Sequence, residues 1–256
     1  MKLSLVTVSY NAAGTIGDTI RSVLTQRLDG FELEYILIDG ASTDGTAEII
    51  RAVKSERIVV RAVSEPDRGL YDAMNKGLAM ATGDVVGIVN ADDILEADDV
   101  LARIAAAFTP ETDVIWGDVR FVRELDGPTV RYCTGRFFRN WMFRFGVFPA
   151  HPSTFFRREW FGRLGGYSLD YSITADFEFM HRLFAVHRAR ARYLPLCTTR
   201  MRLGGVSTNG FKANLEINRQ DLAALRAHGV RSCLPLIYLK YFAKIFGYLR
   251  RGGTGR

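Results

Sequence analysis

The sequence predicts an α/β protein with a largely parallel sheet and helices on both of its faces. Short runs of β-branched and aliphatic residues alternate with segments of helical periodicity through the first half of the chain. This alternation favours a parallel sheet, because parallel strands need a long crossover connection. With 256 residues, 48% of them apolar, the chain is long enough to bury one substantial core.

Four predicted strands and four predicted helices make up the first half. The strands cover about residues 3–8, 34–38, 58–63 and 85–89, and the helices about 14–26, 45–54, 70–81 and from 98 onward. The helix over 70–81 has the clearest pattern, since its apolar residues form one stripe and Tyr71, Asp72, Asn75 and Lys76 lie away from it.

The second half is less regular. It predicts a strand and a hairpin over 114–133, helices near 157–163, 175–187 and 211–228, and a strand over 193–197. Three cysteines at wide spacing, without a CxxC pair, favour neither a disulfide framework nor a zinc site. Because neither a signal peptide nor an apolar stretch of about 20 residues is recognisable, we expect a cytoplasmic protein.

Charge is distributed unevenly along the chain. Residues 1–180 carry 19 basic and 26 acidic side chains, whereas residues 181–256 carry 15 basic side chains and only Glu216 and Asp221 as acids. The C-terminal segment is therefore suited to a polyanion or an anionic membrane. No nucleic-acid-reading motif accompanies the basic residues, so nucleic acid is not a predicted partner.

The run LPLIYLKYFAKIFGYLR, residues 234–250, is the most membrane-like part of this segment. It combines aromatic and aliphatic residues with Lys240, Lys244 and Arg250, and it is too short and too charged to span a bilayer. A basic helix of this kind fits an anionic membrane interface, which would make the protein peripheral on the inner face of the cell membrane. The alternative is a helix that closes the domain by packing on its core.

Polar and acidic residues are concentrated directly after the predicted strands. In open parallel sheets, ligands bind outside the carboxyl ends of the strands. The residues at these ends are Ser9 to Asn11, Asp39-Gly40, Glu65 to Gly69, and Asn90 to Asp93. The sequence therefore predicts a ligand site along one edge of the sheet.

The sharpest of these clusters is NADD, Asn90 to Asp93. Adjacent carboxylates repel each other unless water or a hard cation offsets their charge, and Mg²⁺ or Mn²⁺ takes one or two carboxylates together with phosphate oxygens. An acidic run leading into the helix near 98 is the other interpretation, and the tetrapeptide alone leaves both open.

Two further clusters carry candidate ligand contacts. A capped helix start explains most of IDGASTDGT, residues 38–46, but not Asp39, whose carboxylate suits a nucleobase N–H or a ribose hydroxyl. In the run from Glu65 onward, Asp67 lies on a turn near the same edge, while Asp72 and Lys76 form an ordinary i,i+4 helix pair.

Five ordered motifs together resemble the nucleotide-binding half of glycosyltransferase family 2 enzymes with the GT-A fold. They are TVSYNA (7–12), LIDGASTDGT (37–46), EPDRGLYDAMNKG (65–77), ATGD (81–84) and NADD (90–93). The resemblance is closest to bacterial members that build surface polysaccharides and glycolipids. It implies a GT-A domain over 1–210, with a Rossmann-like nucleotide-sugar-binding half (1–110) and an acceptor-binding half (111–210), followed by a basic helical extension (211–256).

The resemblance also implies the residues that bind the donor. The nucleotide-sugar ligands are Thr7, Ser9, Asn11, Asp39, Asp67, Lys76 and Asn90. NADD corresponds to the family's Asp-x-Asp metal motif, with Asn90 in place of the first acid, so a divalent Mn²⁺ or Mg²⁺ is assigned chiefly to Asp92. Asp93 is then a supporting acid.

On the acceptor side, TADFEFMHRL (174–183) is similar to the family's acidic motif before a helix. Its usual Glu-Asp pair reads Ala175-Asp176 here, which implies that Asp176 is the general base. Taken alone, Asp176 is better explained as a helix-start acid. Contacts with acceptor or phosphate are assigned to His151, Arg182 and Ser207, although a lone His beside Pro is more often a structural loop residue.

The implied activity is inverting transfer of a sugar from a nucleotide-sugar donor to a hydroxyl of a saccharide or lipid-linked acceptor. A sugar nucleotidyltransferase is an alternative, but it usually carries a Gly-rich basic loop after the first strand, and residues 9–13 are not one. A catalytically idle nucleotide-binding protein is a further alternative, which the Asn90 substitution keeps open.

Overall fold

The computed structural model describes residues 1–204 and 210–242, and within them the predicted α/β fold is confirmed. The strands of this part form one nine-stranded sheet in the order β3-β2-β1-β4-β8-β6-β9-β5, with β7 paired to β6. They are β1 (Lys2–Ser9), β2 (Glu32–Asp39), β3 (Val59–Ser64), β4 (Val85–Ile88), β5 (Ile94–Leu95), β6 (Val114–Val122), β7 (Thr129–Cys133), β8 (Thr154–Arg157) and β9 (Ala191–Arg202).

Helices cover both faces of the sheet, as predicted. They are α1 (Ile16–Leu24), α2 (Thr46–Arg51), α3 (Leu70–Met80), α4 (Val100–Ala107), α5 (Glu159–Leu164), α6 (Ala175–His181), α7 (Gly210–Ala227) and α8 (Leu234–Tyr238), with 3₁₀ segments at Asn140–Phe145 and His151–Ser153 and a π-helical turn at Arg182–Val186. Val6 and Val8 of β1 enter the core that contains α3, α5 and α6, whereas Leu3 and Leu5 enter the core beneath α1, α2 and α4. This alternation follows from the period of two along a strand.

The strands β3-β2-β1-β4 are parallel and in register at their carboxyl ends. Ser9 of β1 lies opposite Asp39 of β2, and Asp39 lies opposite Ser64 of β3. The predicted clustering of strand-end residues at one edge of the sheet is therefore present in this half.

The rest of the sheet is mixed. β8 runs antiparallel to both β4 and β6, β5 runs antiparallel to β9, and β6 and β7 form the predicted hairpin. The sequence did not predict β5 and β8, which have two and four residues.

The described part of the C-terminal extension packs on the domain. Helix α8 contacts α7 and the segment Asn140–Phe145, and Ile237 is fully buried between them. Lys240, expected to face a membrane, instead donates to Asp221 Oδ2 at 2.7 Å in a buried ion pair. Lys244 and Arg250 lie outside the described residues, and no helix within residues 1–204 and 210–242 is long and apolar enough to cross a bilayer.

Candidate active site

The carboxylate of Asp39, at the end of β2, is buried and surrounded by donors. Ser42 donates from its hydroxyl to Oδ1 and from its backbone N–H to Oδ2 at 3.0 Å. Ser64 Oγ donates to Oδ2 at 2.7 Å, and Ser9 Oγ lies 3.4 Å from Oδ1. Burial raises the pKa of Asp39, but the hydrogen bonds outweigh it, so the pKa lies below its ordinary value. A fixed negative charge thus lies at the carboxyl edge.

The loop after β1 is tied to the loop after β2. Asn11 has a left-handed backbone with φ 48°, its N–H donates to Ser42 Oγ at 2.8 Å, and its Oδ1 accepts from the N–H of Thr43 at 3.0 Å. These bonds compensate the backbone strain of a non-glycine residue at positive φ. Thr7 lies deeper, 1% exposed, with its hydroxyl accepting from Tyr35 at 3.0 Å, so its predicted nucleotide contact stays a prediction.

Tyr10, Gly40 and Asp67 lie close together beside these loops. The ring of Tyr10 is 67% exposed, which is unusual for an aromatic residue next to a buried carboxylate. A Cβ on Gly40 would lie 2.5 Å from Asp67 Oδ2, so only glycine permits this close approach. Asp67 Oδ1 accepts from the N–H of Gly69 at 2.8 Å, which fixes the turn that carries it.

Lys76 of α3 holds the same turn from the other side. Its ammonium donates to the carbonyl oxygen of Pro66 at 2.8 Å and pairs with Glu65 at 2.8 Å. The hydrogen bond with Glu65 raises the pKa of Lys76. Lys76 therefore positions the turn that carries Asp67, and its direct contact with a nucleotide sugar stays a prediction.

Two neighbouring acids occupy the end of β4. Asp93 is 1% exposed, and its burial, together with the charge of Asp92, raises its pKa well above the ordinary value. Burial also raises the pKa of Asp92. Asn90 Nδ2 donates to Asp93 Oδ2 at 3.2 Å. The two carboxyl groups are therefore destabilised as anions unless a positive charge is close.

Arg202 supplies part of that charge, and sequence reasoning missed it. The antiparallel pairing of β5 with β9 brings the end of β9 beside the acids, and the Arg202 charge lowers the pKa of both Asp92 and Asp93. Arg202 Nη2 also donates to Asp18 Oδ2 at 2.5 Å. Its only sequence signal was an Arg near the end of a predicted strand.

Two buried polar atoms at this strand end have no hydrogen-bond partner, Asn90 Oδ1 and Arg202 Nε. A free oxygen acceptor beside two carboxylates suits a hard cation, and a free guanidinium N–H suits an anionic oxygen. Among the described residues, no group of three or more His, Cys, Asp or Glu side chains is arranged to hold a metal. The residues present therefore fit a divalent ion that keeps positions open for water and phosphate, rather than a closed protein site.

Asp176 lies in the first turn of α6 within a cluster of tyrosines and His151. Tyr71 of α3 places its hydroxyl 3.0 Å from Asp176 Oδ1, and His151 Nε2 lies 2.7 Å from the Tyr167 hydroxyl. Burial, then the charge of Asp176, raises the pKa of Tyr71 and of Tyr167. Burial lowers the pKa of His151, and the charge of Asp176 opposes this effect. The pKa shifts of Tyr71, Tyr167 and His151 thus all favour their uncharged forms.

The segment His151–Ser153 connects the two acidic regions. β8 follows it and pairs antiparallel with β4, with Val86 opposite Phe156, so the segment runs alongside the end of β4. The same segment contacts α6. The segment with His151 therefore contacts both β4, which leads to Asn90, and the helix that carries Asp176.

Arg182 is placed differently from the other predicted contacts. Its guanidinium pairs with Glu178 through two bonds of 2.7 and 2.8 Å and donates to the carbonyl oxygens of Leu164 and Gly166. It therefore joins α6 to the end of α5, and its contact with acceptor or phosphate stays a prediction. Ser207 lies outside the described residues.

A family model described as glycosyl transferase family 2 matches residues 4–165. The chain belongs to this family. A PGL/p-HBAD biosynthesis glycosyltransferase of Mycobacterium bovis is 32% identical over 196 residues, which cover 75% of this chain and 73% of the relative.

Two solved structures show that this family 2 glycosyltransferase has the GT-A fold. Staphylococcus aureus TarS 1–349 in complex with UDP-GlcNAc superposes with a TM-score of 0.65 at 18% identity, over 88% of this chain and 66% of that one, just under two thirds of its length. The mannosyltransferase PcManGT from Pyrobaculum calidifontis, in complex with GDP-Man and Mn²⁺, superposes with a TM-score of 0.58 at 21% identity. The match covers 95% of this chain and 79% of that one.

The family assignment favours a glycosyltransferase over the nucleotidyltransferase considered from sequence. The structure brings predicted residues of this glycosyltransferase together along one edge, with Ser9, Asn11 and Asp39 at one end and Asn90 with Asp92 at the other. Family resemblance alone did not identify Arg202 or the contact of Tyr71 with Asp176.

Proposed function

We propose that this family 2 glycosyltransferase is an inverting, metal-assisted enzyme that transfers a sugar from a nucleotide sugar to a hydroxyl of a saccharide or lipid-linked acceptor. The pathway proposed is bacterial cell-surface polysaccharide or glycolipid biosynthesis. The observation that carries the proposal is the contact of the segment His151–Ser153 with both β4 and the helix of Asp176, with Asn90 Oδ1 left without a partner. The relative named for PGL/p-HBAD biosynthesis supports the glycolipid direction.

The donor is assigned to the loops after β1, β2 and β3. The exposed ring of Tyr10 offers a flat apolar surface for a nucleobase, and Asp39 and Asp67 supply charged acceptors for N–H or hydroxyl groups nearby. Ser9, Asn11 and Lys76 fix the loops that carry these groups. The complexes of the structural relatives with UDP-GlcNAc and GDP-Man support a nucleotide-sugar donor.

In the proposed reaction, the acceptor oxygen attacks the anomeric carbon from the face opposite the leaving nucleoside diphosphate. Asp176 accepts the hydroxyl proton as that oxygen forms its bond to carbon, a contribution of about 10²–10⁴-fold in rate. The Tyr71 hydroxyl, which is shared between Asp176 Oδ1 at 3.0 Å and the carbonyl oxygen of Ile173 at 2.6 Å, would orient the carboxylate that receives the proton. The bond between the anomeric carbon and the diphosphate oxygen breaks in the same step, so the configuration inverts.

The other end of the site stabilises the leaving group. A divalent ion held chiefly by Asp92, with Asn90 Oδ1 beside it, would neutralise the charge that grows on the diphosphate. Arg202, whose Nε has no partner, adds a protein cation directed at the same charge. The Mn²⁺ in the PcManGT complex supports a divalent cofactor.

The proposed location is the cytoplasm, with the enzyme peripheral on the inner face of the membrane. The net basic charge after residue 180 supports this placement, because anionic lipids attract cations close to their surface. A lipid-linked acceptor would be presented at that surface.

Thermal shift with UDP-, GDP- and dTDP-sugars, with and without Mn²⁺, tests the donor assignment. We expect one nucleotide class to raise the melting temperature, and more so with Mn²⁺, because a ligand bound only by the folded state stabilises it. The Asp92→Ala variant should lose the part of the melting-temperature rise that depends on Mn²⁺. The control Asp84→Ala, on a loop before β4, should keep it. Absence of a shift with every nucleotide contradicts the proposal, and binding without hydrolysis or transfer would establish the idle alternative.

A further inference from the structure

The segment before His151 exposes large apolar and cationic side chains together. We call the surface made by Arg136, Phe137, Arg139, Trp141 and Arg144 the Trp141 face. Trp141 is 64% exposed and Phe137 is 59% exposed, and all three arginines are exposed. Tryptophan is usually well buried in a globular protein, so its exposure here needs an explanation.

Buried neighbours fix this face in place. Phe138 and Phe143 of the same segment are 6% and 1% exposed and pack against Phe184 in the core. The ring of Trp141 meets the ring of Phe145 edge to face, at 5.8 Å between centroids. The segment is therefore anchored on one side while it presents its other aromatic residues outward.

Two stretches of chain that contribute to the face are basic in sequence. Residues 127–158 contain six arginines and not one acidic residue, and residues 222–242 contain three basic residues and not one acidic residue. The two stretches are in contact, since Arg144 Nη2 donates to the carbonyl oxygen of Arg231 at 3.2 Å and Ser232 Oγ donates to the carbonyl oxygen of Arg144 at 2.6 Å. Leu239 and Phe242 of the second stretch are also exposed, at 45% and 63%.

We infer that the Trp141 face is a docking surface for an anionic lipid membrane. Exposed tryptophan and phenylalanine suit the boundary between headgroups and acyl chains, and arginines without neighbouring acids suit anionic headgroups. Only residues 146–150 separate this segment from His151, so the face adjoins the proposed acceptor side. The inference rests on the proposed function for its lipid-linked acceptor, but the binding itself requires no catalysis.

Sedimentation with vesicles tests the inference on the full chain. We expect binding to phosphatidylcholine vesicles that contain phosphatidylglycerol at low salt, and little binding to pure phosphatidylcholine. Arg136→Gln with Arg139→Gln should weaken partitioning by about fivefold per arginine. Phe137→Ala with Trp141→Ala should weaken it by roughly tenfold or more, because two aromatic side chains no longer enter the interface.

Matched control variants distinguish an effect of the Trp141 face from a general effect of losing exposed apolar or positively charged side chains. Ile49→Ala with Val59→Ala removes two exposed apolar side chains elsewhere, and Arg51→Gln with Arg103→Gln removes two exposed arginines elsewhere. Both control variants should bind vesicles as the parent does. All variants should keep the parent's melting temperature and its hydrolysis of the nucleotide sugar, so that failure of docking is distinguished from failure of the proposed function.

Three outcomes would overturn the inference. The first is undiminished vesicle binding by both face variants. The second is loss of binding only when Lys244 and Arg250 are changed to Gln, which would place the lipid contact on the C-terminal residues. The third is a dimer in solution that dissociates on Trp141→Ala, because the face would then be an interface between copies of this chain.

Discussion

The Tyr71 hydroxyl lies 3.0 Å from Asp176 Oδ1 and 2.6 Å from the carbonyl oxygen of Ile173. A helix that follows a donor-side turn therefore reaches the proposed base on the acceptor side. The next residue along α3, Asp72, accepts from the backbone N–H of Arg68 at 3.0 Å in that turn. One turn of α3 thus contacts both halves of the candidate site.

Tyr71→Phe should slow transfer with little change in the KM for the nucleotide sugar. The hydroxyl is proposed to hold Oδ1 of the base, and a hydrogen bond to a charged group contributes about 1.5–3 kcal/mol, which corresponds to roughly 10- to 100-fold in kcat. Steady-state kinetics with the donor varied would measure this. Tyr132→Phe is the matched control, since Tyr132 donates to Asp118 at 2.8 Å in another buried Tyr–Asp pair, and its kcat should stay at the parent value.

Asp176→Asn should abolish transfer while leaving donor binding intact. An amide has the size of the carboxyl group but does not accept the acceptor's proton, so we expect a loss of at least about 10²-fold in kcat. Asp170→Asn changes an exposed acid nearby and should have no such effect. Turnover of Asp176→Asn at the parent rate would remove the assignment of the base.

Asn90→Asp should increase the dependence of stability on divalent ions. The change adds a third carboxyl group and removes the amide that donates to Asp93, so without metal the buried acids repel more strongly and the melting temperature falls. With Mn²⁺, the added charge strengthens cation binding, and the metal-induced shift should exceed that of the parent. Asp92→Asn should show a smaller shift than the parent in the same assay. An Asn90→Asp shift no larger than the parent's would contradict the metal assignment.

Ser64→Ala should cost stability in a pH-dependent way. Ser64 donates to Asp39, whose pKa lies below its ordinary value of 3.8, so this carboxylate stabilises the folded state above that pH and loses the effect as the pH falls through its folded pKa. We expect a loss of about 1–3 kcal/mol in unfolding free energy at pH 7, which shrinks below pH 4. Ser168→Ala, at an exposed Ser–Asp contact, should cost less than about 0.5 kcal/mol at either pH. A cost that is equal at pH 7 and below pH 4 would show that the Asp39 charge is not involved.

Sequence patterns predicted the parallel half of the fold well, because its strands and helices are long enough to show their periods. The helix predicted over 70–81 is observed as Leu70–Met80. Tyr71 and Asn75, which lie off the apolar stripe of that helix, were not expected to be buried. They contact the segment 166–176 instead of solvent, with Asn75 Nδ2 donating to the carbonyl oxygen of Tyr167 at 2.8 Å. A period identifies one packed face of a helix, but not a second face that a distant segment covers.

The sequence by itself determined the order of strands and helices and the acidic residues that end β2 and β4, because periodicity and turn chemistry are local properties. Only the tertiary structure decided which side chains meet there. Arg202 reaches Asp92 through the pairing of β5 with β9, and Tyr71 reaches Asp176 across 105 positions in the chain. Contacts of this kind depend on how the sheet and the helices pack together. A local sequence pattern does not show which residues far apart in the chain will be close in space.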